Sequence, residues 1–156
     1  MGKTCCFTGH RALPPIDSEA YGALLHALEA AVNDALAFGC TRFLIGGAVG
    51  FDLLAGEWIL ALKKVLPDVT LAVYIPYAGQ ANGFSPADTR RYRNLLAQAD
   101  ETLCLSETYF KGCMRVRNER MVQDADLCIA YVRKRNSGSG QTMHCAEAKG
   151  IPVFRL

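Results

Sequence analysis

The chain has 156 residues, of which 51% are hydrophobic and 21% are charged, and its formal net charge is +2. This length and composition predict one domain with a full hydrophobic core over residues 1–156. A net charge so close to zero disfavours a dedicated nucleic-acid-binding protein, although basic residues cluster locally. The three basic clusters are RRYR at 90–93, RVRNER at 115–120 and RKR at 133–135.

The cysteines and the start of the chain favour a cytoplasmic protein. Seven cysteines are scattered without a CxxC pair, several of them in apolar runs, which is typical of small buried residues in a reducing compartment. We expect no signal peptide, and the myristoylation pattern fails because Cys6 stands where Ser or Thr is needed. No apolar run reaches the ~18 residues of a membrane span. His10, His26 and His144 are too far apart for a zinc pattern, so neither a metal nor a cofactor is expected.

Short apolar strands alternate with helices from the first residues onward. The segment 3–8 predicts a strand, and a helix is expected from Asp17 or Ser18 to Gly39 because its apolar residues recur at helical spacing. The next predicted elements are a strand at 42–46, a helix at 52–66 that is apolar nearly all round, a strand at 70–76 and a helix at 86–99 with Ser85 as its N-cap.

The second half of the chain continues the alternation. Its predicted elements are a strand at 101–106, a helix at 114–124, a strand at 127–132, a helix at 142–149 and a strand at 152–156. This order predicts an α/β, Rossmann-like fold with a predominantly parallel sheet and helices on both faces. In such folds, ligands bind at the carboxyl ends of the strands.

Three loops of unusual composition are expected at that edge of the sheet. They are TGHR at 8–11, GGAVG at 46–50 and SGSGQT at 137–142, which follow the first, second and fifth strands. Glycine turns that open helices let a phosphate approach free backbone N–H groups. Neither a GxGxxG fingerprint nor a Walker loop is present. The loops therefore predict an anion site, and the alternative is that the glycines serve the turns alone.

The candidate ligand-binding residues lie on or near these loops. Arg11 and Arg117 would neutralise a phosphate, and Thr8, Asp52 and Gln80 would contact sugar or base. For Asp52 the alternative is a helix cap, which its place at a helix start favours. The predicted set is Thr8, Gly9, His10, Arg11, Gly46, Gly47, Gly50, Asp52, Gln80, Asn118, Gly138, Gly140 and Thr142.

The motifs CCFTGHR, GGAVGFDLLAGEW, IPYAGQ, RNERMVQDADLCIAYV and SGSGQT, in this order, resemble the YpsA-like branch of the SLOG superfamily. The resemblance covers nearly the whole chain and implies a Rossmann-like domain that binds a nucleotide or nucleotide-derived ligand, as a sensor or signalling module. It also implies a homodimer. Relatives of that branch include the lonely-guy phosphoribohydrolases and the DNA-processing protein DprA.

The phosphoribohydrolase resemblance implies a second function, hydrolysis of an N-glycosidic bond. Arg117 falls where the catalytic arginine of those enzymes lies, but His144 and Cys145 replace the two glutamates of their glycine loop. The same hydrolysis is not expected unless another carboxylate substitutes, and Glu57 is the candidate. The alternative for Glu57 is a buried acid paired with an arginine. The resemblance to DprA implies a third function, binding of single-stranded DNA, which the net charge disfavours.

Overall fold

Strands and helices alternate through the computed structural model, which describes residues 2–156. The strands are β1 (Lys3–Gly9), β2 (Cys40–Ile45), β3 (Thr70–Ile75), β4 (Glu101–Cys104), β5 (Leu127–Tyr131) and β6 (Val153–Arg155). The α-helices are α1 (Glu19–Phe38), α2 (Phe51–Lys63), α3 (Pro86–Gln98), α4 (Cys113–Gln123) and α5 (Gly138–Lys149), and a short 3₁₀ helix spans Gln80–Gly83.

The strands form one parallel sheet in the order β4-β3-β2-β1-β5-β6. This arrangement confirms the predicted α/β, Rossmann-like fold. From β1 the chain builds outward through β2, β3 and β4 before it crosses to the other side of β1 at β5. The crossing creates a topological switch point between β1 and β5, where ligands bind in folds of this kind.

Side chains of each strand alternate between two hydrophobic clusters, one on each face of the sheet. Cys5 and Phe7 of β1 belong to the cluster that includes residues of α1, α2 and α3. Cys6, between them, belongs to the cluster that includes residues of α4 and α5. Both faces are therefore covered, as the near-continuous apolar strands of a parallel sheet require.

The longest helix, α1, starts and stops as its sequence predicts. The Ser18 hydroxyl accepts a hydrogen bond from the Tyr21 N–H at 3.1 Å, and Gly39 ends the helix with a left-handed φ of 105°. Leu24 and Leu28 are buried, whereas His26 lies on the exposed face. Among residues 2–156, neither α1 nor any other helix has the length and apolarity to span a membrane.

The cysteines are free thiols, five of them buried. Burial raises the pKa of Cys5, which lies on β1 next to Cys40 of β2, and so keeps this thiol protonated. Cys104 is exposed and Cys145 is partly exposed, so the interpretation of the cysteines as buried hydrophobic residues holds for most of them but not for these two.

Helix α5 begins at Gly138, four residues before the predicted start at Thr142. The Ser137 hydroxyl accepts a hydrogen bond from the Gly140 N–H at 3.0 Å and caps the helix. The glycines in SGSGQ indicated a loop because glycine disfavours helix, but the serine cap and close packing outweigh that preference. The earlier start brings the helix N-terminus close to the carboxyl end of β5.

Gly138→Ala and Gly140→Ala are a matched pair in the first turn of α5. A Cβ at Gly140 would collide with the main chain of Arg135, whereas nothing lies within 4 Å of a Cβ at Gly138. We expect Gly140→Ala to lower the free energy of unfolding by about 1–3 kcal/mol. Gly138→Ala should leave it unchanged or raise it by up to ~1 kcal/mol, because alanine favours helix. Chemical denaturation measures both values, and equal stability of the two variants would contradict this packing.

Candidate functional site

A cleft of about 290 Å³ opens where β1 and β5 end, at the switch point of the sheet. We call it the anion cleft; the loop after β1, the start of α2, helix α4 and the start of α5 form its walls. The structure brings many of the sequence-predicted residues together here. Those that line the cleft are Thr8, Gly9, His10, Arg11, Asp52, Arg117, Asn118 and Gly138.

The N-terminus of α5 presents free backbone N–H groups to the anion cleft. Gly138 and Ser139 line the cleft, and their N–H groups donate no hydrogen bond within residues 2–156. The N–H of Gly140, by contrast, is satisfied by the Ser137 cap. Two free donors at the positive end of a helix dipole favour an anion.

Arg11 adds an exposed positive charge to the same cleft. Its side chain forms no hydrogen bond or ion pair within the part of the chain that the structure describes. Its charge contributes to lowering the pKa of Arg117, so the two guanidinium groups lie close enough to repel. An anion in the cleft would relieve this repulsion.

Gly46 connects a buried acid to a buried arginine. Its N–H donates to the Asp52 carboxylate at 3.0 Å, and its carbonyl accepts from the Arg117 guanidinium. Arg117 is 4% exposed and also donates to the Tyr74 carbonyl and the Gln80 side chain, each at 3.2 Å. Most of its donors are therefore committed to the protein. Arg117→Ala would perturb the fold and would not isolate a contribution to ligand binding.

The charges of Asp52 and Arg117 each oppose the effect of burial on the pKa of the other. Burial raises the pKa of Asp52, and the positive charge of Arg117 opposes that rise. Burial lowers the pKa of Arg117, and the negative charge of Asp52 opposes that fall. Asp52 does not cap α2, as its sequence position favoured; Gly50 is the N-cap residue, and the Asp52 carboxylate binds the preceding loop instead.

The glycine turn at 46–50 makes room for neighbouring parts of the protein. None of its three glycines lines the anion cleft, and Gly47 and Gly50 have φ angles of 73° and 83°, which favour glycine. Side chains at these positions would collide with groups from distant segments. The geometry thus favours the structural alternative for this turn. The neighbours are Arg117 for Gly46, Tyr92 for Gly47 and the main chain of Arg11 for Gly50.

Four other predicted residues also lie outside the anion cleft. Gln80 is buried and donates to the Gly46 carbonyl at 3.1 Å, while Thr142 donates to a carbonyl of its own helix. Gly140 packs against the preceding loop. Glu57 forms an ion pair with Arg91 at 2.6 Å, which agrees with the alternative of a paired acid, although its side chain is 37% exposed rather than buried.

Five residues of the cleft are absent from the predicted set: the apolar Phe7 and Ala48, and Ser137, Ser139 and Met114. The two serines precede or enter α5, so a helix start placed at Ser137 would have pointed to them. Met114 gives no comparable signal, because methionine is common on buried faces of helices. Its place in the cleft depends on how α4 packs, which local sequence does not reveal.

His10 joins the loop after β1 to the loop before α5. Its Nε2 accepts hydrogen bonds from the N–H groups of Arg133 at 2.7 Å and Lys134 at 3.2 Å, so the proton resides on Nδ1, 3.0 Å from the Ser139 hydroxyl. Partial burial and then the positive charge of Arg133 lower the pKa of His10. The neutral imidazole thus holds two walls of the cleft together.

Acidification should weaken the fold through His10. Because its folded pKa lies below the ordinary value of 6.5, the unfolded chain takes up a proton first as the pH falls below that value. The stability that His10 contributes is then lost progressively. We expect wild type to lose more free energy of unfolding between about pH 7.5 and about pH 5 than His10→Gln, whose amide oxygen can still accept the N–H groups.

Denaturant titrations at the two pH values test this difference. The matched control is His26→Gln, because His26 is exposed on α1 and forms no hydrogen bond within residues 2–156; it should keep the wild-type dependence. Identical pH dependence of wild type and His10→Gln would show that this imidazole does not couple stability to pH.

Solved structures of DNA processing protein A (DprA) share the fold. The protein from Helicobacter pylori, whose structure is described as revealing its single-stranded DNA binding mode, superposes with a TM-score of 0.68 at 21% identity, over 99% of this chain and 65% of that one. The protein from Streptococcus pneumoniae gives 0.66 at 19% identity, over 99% and 50%. At identities of 21% and 19%, the structural similarity establishes a shared fold and no more.

Sequence comparison identifies the family. A UPF0398 protein from Halalkalibacterium halodurans is 32% identical over 96 residues, which cover 60% of this chain and 51% of that protein. The chain thus spans about half the length of the first curated relatives it matches. The model of the YspA SLOG family matches residues 5–149. Since that match covers nearly all of the sequence, the chain belongs to the YspA SLOG family.

Proposed function

We propose that the anion cleft binds the phosphate of a nucleotide or nucleotide-derived ligand, and that the protein works as a sensor or signalling module. One observation carries the proposal: the N–H groups of Gly138 and Ser139 and the guanidinium of Arg11, which have no partner among residues 2–156, line the same cleft. Backbone donors at a helix N-terminus and an arginine together form a strong phosphate site.

Neighbouring polar groups are suited to the sugar of such a ligand. The Thr8 side chain is only 6% exposed, and its hydroxyl forms no hydrogen bond within residues 2–156. The Asn118 amide oxygen accepts from Arg117 at 2.7 Å, which leaves the amide N–H groups available. Both residues line the cleft beside Arg11. In this arrangement Arg117 positions Asn118 and adds charge, while Arg11 contacts the phosphate.

Support for a nucleotide over other anions comes from the position of the cleft. It lies outside the carboxyl ends of β1 and β5, where doubly wound folds bind nucleotides. Membership of the YspA SLOG family agrees with this class of ligand. Gly9 lies at the end of β1 and packs so closely against Phe51 that a Cβ there would come within 2.6 Å of the Phe51 side chain.

A thermal-shift panel of nucleotides tests the proposal. A ligand present at about 100 times its Kd should stabilise the fold by ~2.7 kcal/mol and raise its Tm. Arg11→Gln should weaken binding about tenfold or more, because it removes a charged hydrogen bond to phosphate. The control is Arg93→Gln, an exposed arginine of α3 outside the cleft, which should bind as wild type does. No shift with any phosphorylated compound would reject the proposal.

Hydrolysis of an N-glycosidic bond is the second candidate, favoured by one observation. Asp52 lines the anion cleft, while Glu57, the acid that the sequence suggested, is bound to Arg91 outside it. A carboxylate beside the sugar could stabilise positive charge on the ribose and orient a water molecule. Burial raises the pKa of Asp52, and the charge of Arg117 opposes that rise.

Release of free base from nucleoside monophosphates, measured by chromatography, tests this second function. Asp52→Asn keeps an oxygen that can accept the Gly46 N–H but removes the charge, and should slow release about hundredfold or more. Glu57→Gln is the control and should retain activity. Unchanged release in Asp52→Asn would remove Asp52 from the mechanism, and no release by wild type would leave binding alone.

Single-stranded DNA binding and homodimer formation have weaker support. The structural likeness to DprA favours a DNA partner. However, carboxylates neutralise arginines in all three basic clusters, through the ion pairs Arg91–Glu57, Arg115–Glu119, Arg120–Asp124 and Arg135–Glu147. Exposed apolar residues in α4 and in the loop before it favour a homodimer, which stays a prediction, as does a cytoplasmic location. These residues are Tyr109, Phe110 and Val116, which are 63%, 42% and 46% exposed.

A further inference from the structure

Two further cavities share the side chain of Met114 with the anion cleft as part of their walls. One, here called the apolar chamber, has a volume of about 610 Å³ and lies between α4 and α5, next to Met114 and Cys145. The other, here called the polar chamber, has a volume of about 330 Å³ and lies beside Arg11, Gln80 and Ser85. Both volumes are within the range of small-molecule sites.

The apolar chamber has the lining that an aromatic ring requires. Most of its surface is apolar, with Met114 and Tyr109 offering a thioether and a ring face. Gln141 also lines this chamber and supplies an amide group that could hydrogen-bond the edge of a base. Gly138 belongs both to this chamber and to the anion cleft, so a ring and a phosphate on one ligand could occupy the two together.

The polar chamber has a different chemistry. More of its surface is polar than apolar, and Tyr77, Ser85 and Asp88 contribute two hydroxyls and a carboxylate. The Asp88 carboxylate lies 3.4 Å from the Arg91 guanidinium, so one oxygen is only weakly occupied. A carboxylate repels a second phosphate and accepts hydrogen bonds from hydroxyl groups. This chamber therefore suits a sugar that carries no charge.

The three spaces meet around one side chain. Met114 lines the anion cleft and both chambers, and the rings of Tyr77 and Tyr109 touch edge to face with centroids 5.4 Å apart. Tyr77 belongs to the polar chamber and Tyr109 to the apolar chamber. Arg11, at the boundary between the anion cleft and the polar chamber, could contact a phosphate and the group attached to it.

We infer that the ligand is a nucleoside diphosphate joined to a second sugar, a conclusion that rests on the proposed function and narrows it. The base occupies the apolar chamber, the diphosphate occupies the anion cleft, and the terminal sugar occupies the polar chamber. A nucleoside monophosphate would leave the polar chamber unfilled. A dinucleotide with two bases would place an aromatic ring against Asp88, where hydroxyl groups fit better.

Calorimetric titration with matched compounds tests the inference. The probes are ADP-ribose and UDP-glucose, their parent nucleotides ADP and UDP, and ribose 5-phosphate, which has no base. At least one of the two sugar-bearing compounds should bind about tenfold or more tightly than its parent diphosphate. Ribose 5-phosphate should bind most weakly, because it cannot fill the apolar chamber.

Gly83→Phe shows whether the polar chamber causes the difference. Gly83 lines this chamber, and nothing lies within 4 Å of a Cβ there, so the added ring enters the chamber without displacing the backbone. The variant should reduce the affinity for the sugar-bearing compound to that for its parent diphosphate. The matched control is Gly22→Phe on the exposed face of α1, where a Cβ also meets open space, and it should keep the wild-type preference.

The outcomes separate the inference from the function on which it rests. If the parent diphosphates bind as tightly as the sugar-bearing compounds and Gly83→Phe changes neither affinity, the inference is wrong while phosphate binding stands. Tighter binding of a dinucleotide with two bases than of either sugar-bearing compound would also overturn it. If none of the phosphorylated probes binds, the proposed function fails, and the inference fails with it.

Discussion

The opposite charges of Asp52 and Arg117, joined through the backbone of Gly46, hold the candidate site in shape. Each charge loses water on burial at a cost of several kcal/mol, so neither would be tolerated without compensating contacts. Gly46 receives one at its N–H and the other at its carbonyl, which fixes the turn after β2 between α2 and α4. The carboxylate, the arginine and the adjoining cleft thus form one electrostatic unit.

The sequence predicts the architecture well because the relevant signals are local. Apolar runs identify all six strands, and caps such as Ser18 and Ser85 set helix starts within a residue or two. Once the alternation implies a parallel sheet, the loops at 8–11 and 137–142 must meet at its carboxyl edge. Their convergence in one cleft follows from connectivity alone.

Long-range packing decides what local patterns leave open. The turn at 46–50 looks like a phosphate loop, yet its small residues accommodate an arginine 71 positions away in sequence, a contact that no local window contains. Glu57 is likewise separated by 34 positions from Arg91, its partner. The start of α5 is missed for a different reason, since glycine propensity masks the Ser137 cap.

The side chain of Met114 is the most flexible part of the wall that separates the three cavities. Many contacts hold the sheet, the glycine turns and the Asp52–Arg117 pair in place. The unbranched side chain of Met114, by contrast, has three rotatable bonds and a thioether with few directional preferences. A rotation of this one side chain would enlarge one compartment at the expense of its neighbour without moving the backbone. The protein therefore combines a rigid site for the charged part of the ligand with a movable side chain beside it. The site should consequently tolerate more variation in the base and in the terminal sugar than in the diphosphate.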